Sequence, residues 1–173
     1  MLRSFILLIV LAFGNQASAL DLEAPFGSID GGEFSLSDWQ GKPILVVNTA
    51  SRCAFTRQYR GLQDLYDRYR ERGLIVIAVP SNDFRQELGS DEEVKDFCEL
   101  QYGIDMPMTT ITLVRGSSAH PFYRSLREEV GFVPVWNFNK VLIGPDGELV
   151  QTFGSGVQPL SPVLTAEIEA LLK

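Results

Sequence analysis

The sequence predicts an α/β domain in which a central mixed sheet is flanked by helices. Three observations carry that expectation. Residues 43–49 and 74–79 are short apolar runs without polar alternation, as in strands covered on both faces. A segment of helical period lies between them, which makes the three pieces a βαβ unit. Near the C-terminus, Pro145-Asp146-Gly147 separates two further strand-like runs with residues suited to a tight reversal.

The elements follow in order. Residues 43–49 read Pro-Ile-Leu-Val-Val-Asn-Thr, a β-branched run bounded by Gly41. From Thr56 onward Tyr59, Leu62, Leu65, Tyr66 and Tyr69 share one helical face, and charged residues take the other. Gly73 ends that helix at its C′ position. After the strand at 74–79, residues 80–89 read as a loop. Ser90-Asp91-Glu92-Glu93 has the form of a capping box, so a helix is expected from there to near Gly103, with Val94, Phe97 and Cys98 inward. Residues 109–114 are expected to form the next strand. Pro121 suits the first position of a short helix running to about Glu129. Strands at 138–143 and 148–153 flank the turn, and Ser161-Pro162 starts a last helix with Val163, Leu164, Ile168, Leu171 and Leu172 apolar. The order β-α-β-α-β-α-β-β-α, with an early βαβ unit and a closing hairpin and helix, is the layout of a thioredoxin-like fold.

At 173 residues and 45% hydrophobic content the chain supports one domain with a continuous core. Its formal charge of -7 and pI of about 4.7, with scattered lysines and arginines, exclude a nucleic-acid partner. The N-terminus stands apart from that domain. Arg3 precedes an unbroken apolar run from Phe5 to Phe13 and a small, polar stretch ending Ala17-Ser18-Ala19. That order predicts a signal peptide over 1–19, with the domain at 20–173. The run falls short of the roughly 20 apolar residues that span a bilayer, so no stable membrane insertion is expected. Export to the periplasm or the medium follows.

Two cysteines, Cys53 and Cys98, belong to the domain. In an exported chain the even count suggests a bridge, yet a domain of this size folds without one, so a structural disulfide and a catalytic pair both stand open. Cys53 falls between the strand at 43–49 and the helix from Thr56. That junction sets its sulfur among unpaired helix N-terminal amides, with Arg52 and Arg57 nearby, a setting that favours thiolate. A thiolate there can attack the O–O bond of a peroxide and become a sulfenic acid. The alternative is an inert buried thiol. His120, the single histidine, has no ligand cluster around it in the sequence; it reads as a capping residue beside Pro121, and neither metal nor cofactor is expected.

Four blocks give the sequence a family resemblance. Asn48-Thr49-Ala50-Ser51-Arg52-Cys53-Ala54-Phe55-Thr56 resembles the signature around the active-site cysteine or selenocysteine of glutathione peroxidases. Val79-Pro80-Ser81-Asn82-Asp83-Phe84 resembles the second signature of that family. Ala119-His120-Pro121-Phe122-Tyr123 is similar to the opening of its third helix, and Val135-Trp136-Asn137-Phe138-Asn139-Lys140 to its Trp-Asn-Phe motif. The blocks occur in the family's order.

The resemblance implies that Trp136 and Asn137 join Cys53 in the catalytic constellation. An indole N–H and a carboxamide NH₂ stabilise a thiolate without quenching it. The family's fourth catalytic position is usually Gln, and this reading sets Asp83 there. A carboxylate at that place raises a thiol's pKa unless it is protonated or turned away, so Asp83 is either a proton carrier or a solvated loop residue. The loop after it is one residue shorter than usual. Cys98 maps to the resolving cysteine of two-Cys members, which a thioredoxin-like dithiol recycles; its alternative is an inert thiol on the inner helix face. The implied substrates are hydrogen peroxide and organic hydroperoxides. The competing readings are a glutathione-dependent peroxidase in which Cys98 is idle, and an exported redox sensor or binding module without enzymatic activity. About sixteen residues separate His120 from Trp136, too few for the insertion that packs between subunits in tetrameric members, which implies a monomer.

Overall fold

A computed structural model of the chain describes residues 20–172; the expected signal segment at 1–19 lies outside them. The described part opens with a small hairpin, β1 (Phe26–Gly27) and β2 (Glu33–Phe34), which the sequence reading missed. Each strand is only two residues long, too short for a periodic signal, and the turn passes through Gly31 and Gly32 at positive φ.

The main sheet has four strands. β3 (Ile44–Thr49) lies at its centre, parallel to β4 (Ile75–Pro80) on one side and antiparallel to β5 (Lys140–Ile143) on the other; β6 (Leu149–Phe153) pairs with β5 at the edge. The expected mixed sheet and hairpin are both present. Alternation along the strands divides the core in two. Leu45, Val47, Val76, Ala78 and Leu142 point to one face, Ile44, Val46, Ile75, Ile77, Val141 and Ile143 to the other.

Helices cover both faces. On the first lie α1 (Gln58–Tyr69) through Tyr59, Leu62 and Leu65, α2 (Asp91–Tyr102) through Val94 and Cys98, and α4 (Pro162–Leu171) through Leu164 and Ile168. On the second lies α3 (Pro121–Val130) through Phe122, Tyr123 and Leu126. Each buried Leu, Ile or Phe contributes about 1.5–3 kcal/mol, so the sheet is the rigid floor on which the loops at the C-terminal ends of β3 and β4 are set. Among the described residues no helix is long and apolar enough to cross a membrane.

Termini follow local chemistry. Gly73, at φ +106°, stops the α1 segment after a short 3-10 turn. Ser90 caps α2 by accepting the Glu93 amide at 3.2 Å, while the Glu93 carboxylate reaches Gly89 rather than Ser90. His120 caps α3, its Nδ1 accepting the Phe122 amide, ahead of Pro121.

Two expectations are corrected. Residues 109–114 form no strand; Thr109 makes an isolated bridge to Ser28, and Met108, just before the strip, another to Ala78. Its Thr109 and Thr112 hydroxyls both bond the Thr110 carbonyl, and the amides of Val114 and Arg115 turn to the Asp83 carboxylate, so a regular ladder never forms. The first hairpin strand starts at Lys140 rather than 138, because Phe138 adopts φ +63°.

Candidate active site

Cys53 sits in a run of turns between β3 and α1. The helix begins two residues later than the sequence suggests, at Gln58, so the group facing the sulfur is a turn amide rather than the first turn of α1: Phe55 N–H points at Cys53 Sγ, 3.4 Å away. Thr56 fastens the turn, its hydroxyl accepting the Cys53 amide at 2.9 Å and donating to the Ala50 carbonyl at 2.8 Å. The sulfur is half-buried, at the rim of the apolar cluster that α1 and α2 make against the sheet. An amide aimed at a sulfur stabilises the anion over the thiol.

The loop after β4 presses against this turn. Arg52 N–H donates to the Gln86 carbonyl at 2.8 Å, and Ser51 N–H donates to Glu87 Oε1 at 3.0 Å. Gln86 then reaches the third segment, its side-chain Oε1 accepting from Asn137 Nδ2 at 3.0 Å. Asn137 is fully buried, and its own Oδ1 has no partner. Gln86 therefore joins the backbone beside Cys53 to the Asn137 side chain.

Asp83 points elsewhere. Its Oδ2 accepts the amides of Val114 at 2.7 Å and Arg115 at 3.1 Å, which fixes the 113–115 strip against the β4 loop. The neighbouring Phe84 ring lies 5.3 Å from the Trp136 ring, and the Arg115 guanidinium lies over it, 5.3 Å from its centroid. Asp83 thus supports the wall behind Trp136, and the side chain that meets Asn137 is that of Gln86, three residues on. The one hint of it in the sequence is a glutamine within the shortened loop after Asp83.

Trp136 and Asn137 occupy the loop before β5. Asn48, at the end of β3, anchors that loop by donating Nδ2 to the Trp136 carbonyl at 3.0 Å and accepting the Asn139 amide on Oδ1 at 3.1 Å. Trp136 remains 39% exposed. Below, Ser155 donates to the Asn137 carbonyl at 2.6 Å and accepts from Asn139 Nδ2 at 2.9 Å. Lys140 is fully buried, with Nζ donating to Gln58 Oε1 and the Val157 carbonyl, both at 2.6 Å. Burial pulls its pKa down to about 7.

Cys98 lies on the inner face of α2 at 1% exposure, inside the cluster whose rim holds Cys53. The two cysteines are unbridged. Burial pushes the Cys98 thiol up to about 12, and it sits beside the Tyr59 hydroxyl. Among the described residues no group of His, Cys, Asp and Glu could hold a metal ion.

This constellation has close relatives. The sequence profile of the glutathione peroxidase family matches residues 22–127. The hydroperoxy fatty acid reductase of Synechocystis is 39% identical over 156 residues, 84% of this chain and 91% of that one. The glutathione peroxidase-like peroxiredoxin of Schizosaccharomyces pombe is 40% identical over 148 residues, covering 83% and 92%. The crystal structure of T. cruzi GPX1 superposes with a TM-score of 0.65 at 27% identity, covering 87% of this chain and 94% of that one. With a half-buried cysteine on the turn after β3, a Gln–Asn pair beside it and a mixed sheet beneath, the chain is an oxidoreductase that belongs to the glutathione peroxidase family.

Proposed function

We propose that this protein is a two-Cys hydroperoxide reductase in which Cys53 attacks the peroxide and Cys98 resolves the product. The observation that carries this reading is the junction of three segments at Cys53: the Phe55 amide on its sulfur, and Gln86 tied both to the Arg52 amide and to Asn137. The Cys53 thiolate attacks one peroxide oxygen, forming an S–O bond as the O–O bond breaks. The leaving alkoxide or hydroxide takes a proton, and the donors of Trp136 and Asn137 favour the charge that develops on it. Cys98 then displaces the sulfenic oxygen as water and closes a disulfide, which an external thioredoxin-like dithiol reopens.

Hydrogen peroxide and organic hydroperoxides are the proposed substrates. The names of the relatives, a hydroperoxy fatty acid reductase and a peroxiredoxin, support that range. With residues 1–19 directing export, the dithiol is itself an exported, thioredoxin-like protein, and the peroxidase acts as a monomer. Burial of Cys98 favours a second reading, in which glutathione attacks the sulfenic acid and Cys98 takes no part.

Intact-mass spectrometry after one equivalent of hydrogen peroxide separates them. The reduced protein is expected to lose two hydrogens quickly, Cys53→Ser to stay unchanged, and Cys98→Ser to hold a sulfenic acid. A stable sulfenic acid in the unaltered protein, or full dithiol-driven turnover in Cys98→Ser, would give the glutathione reading preference.

A further inference from the structure

Beneath the Cys53 turn several polar atoms are buried without hydrogen-bond partners: Thr49 Oγ1, Ser51 Oγ, the Tyr59 hydroxyl and Glu87 Oε2. An unpaired polar atom shut away from water costs about 1–3 kcal/mol, so a group of them concentrated around one thiol calls for a function. Glu87 is the ionisable member. It is 5% exposed, and both of its backbone partners lie on Oε1, from Ser51 at 3.0 Å and Leu88 at 2.8 Å. That leaves Oε2 free to take a proton.

The groups facing it come from three elements. Arg52 approaches from the Cys53 turn and acts on the Glu87 carboxyl, and Glu87 in turn acts on Tyr59 of α1 and Cys98 of α2, which sit beside each other. Cys98 also feels Glu99 on its own helix. Among the groups that act on Cys98, only Glu87 is a buried carboxylate with an unused oxygen. Burial raises the Glu87 carboxyl above its ordinary range, which brings it nearer to the thiol it would deprotonate.

We propose that Glu87 is the proton acceptor for Cys98, turning the buried thiol into the nucleophile that attacks oxidised Cys53. This rests on Cys98 being the resolving cysteine. The Cys98 proton passes to Glu87 Oε2, directly or across the Tyr59 hydroxyl. The thiolate attacks the sulfur of the Cys53 sulfenic acid; an S–S bond forms and the S–O bond breaks. The departing hydroxide takes the proton from Glu87 and leaves as water, so the carboxylate is restored and the peroxide already consumed is the sole oxidant. A thiolate generated inside an apolar cluster is also driven outward, so the same transfer favours release of Cys98 toward Cys53.

The test is Glu87→Gln, which keeps an acceptor for the Ser51 and Leu88 amides and removes the base. Rapid-quench mass spectrometry with hydrogen peroxide is expected to show sulfenic acid forming at the parent rate and closing to the disulfide about a hundredfold more slowly, with part of the rate restored in Glu87→Asp. Closure at the parent rate in Glu87→Gln overturns the proposal. So does equal slowing of both steps. If Glu87→Gln does not fold, the closing step in the unaltered protein decides. A rate that rises with pH and levels off below the range in which a thiol ionises supports a carboxylate base, and one that climbs without a plateau into the alkaline range overturns it. A parent protein that never forms the disulfide defeats the resolving role of Cys98 itself, and Glu87 with it. A parent that closes normally beside an unaffected Glu87→Gln defeats Glu87 alone.

Discussion

Cys53 and Cys98 share one apolar cluster, the first at its rim and the second inside it, and their surroundings differ in burial and in polar company. Cys53 lies in consecutive turns at the rim, half-buried, with the Phe55 amide 3.4 Å from its sulfur. Cys98 lies within a regular helix, 1% exposed, where burial first and the Glu87 carboxylate after it disfavour the thiolate, against an opposing effect of the Tyr59 hydroxyl that is smaller than that of burial. Apolar burial raises the energy of a thiolate, so the fold holds the enclosed sulfur dormant and leaves the other at an open turn beside one amide. Reactivity is assigned by backbone geometry around the first cysteine and by helix packing around the second.

Alkylation tests the contrast with the largest expected effect. A thiol at about 12 is ionised in about one molecule in 10⁵ at pH 7, and α2 shields it as well. Iodoacetamide at neutral pH is expected to add one label to the reduced native protein, at Cys53, and a second only in denaturant. Equal labelling of both cysteines breaks the comparison.

A smaller effect concerns what surrounds Cys53. Asn137→Ala removes a buried donor and leaves Gln86 Oε1 unpaired, so stopped-flow sulfenic acid formation should slow about a hundredfold. Asp83→Asn keeps an acceptor for the 114–115 amides and should leave that rate within about twofold, since the carboxylate bonds that strip instead of Gln86 or Asn137. A large loss in Asp83→Asn would return Asp83 to the catalytic set.

The smallest effect lies beneath both. Lys140 has a pKa near 7 when folded against 10.5 when free. Between those values the unfolded chain binds the extra proton, so stability rises with pH across that window, while below it both states are protonated and the contribution is flat. Lys140→Met should lose this slope. Denaturant midpoints of the two proteins, compared from pH 7 to 9, should therefore diverge upward for the parent. That window lies below the range in which unfolded Cys98 ionises while the folded thiol does not, which would reverse the sign.

The sequence by itself determined the fold class, because the unbroken apolar strands at 44–49 and 75–80 and the amphipathic face of α1 are local patterns with fixed periods. It also picked out Cys53, Trp136 and Asn137 through contiguous motifs. Tertiary structure decided what depends on which loops meet. The turn that points Asp83 to Val114 and Gln86 to Asn137 is set by a backbone with Arg85 at φ +58°, which no pattern of residue types announces. The failed strand at 109–114 has the same origin, since the amides of Ile111 and Val114 go to the Asp91 and Asp83 carboxylates of a distant segment. So has the enclosed company of Glu87, Tyr59 and Cys98, which come from a loop and two helices. Local propensity records what a segment prefers; the partner that satisfies a buried polar group is chosen only when distant segments close around it.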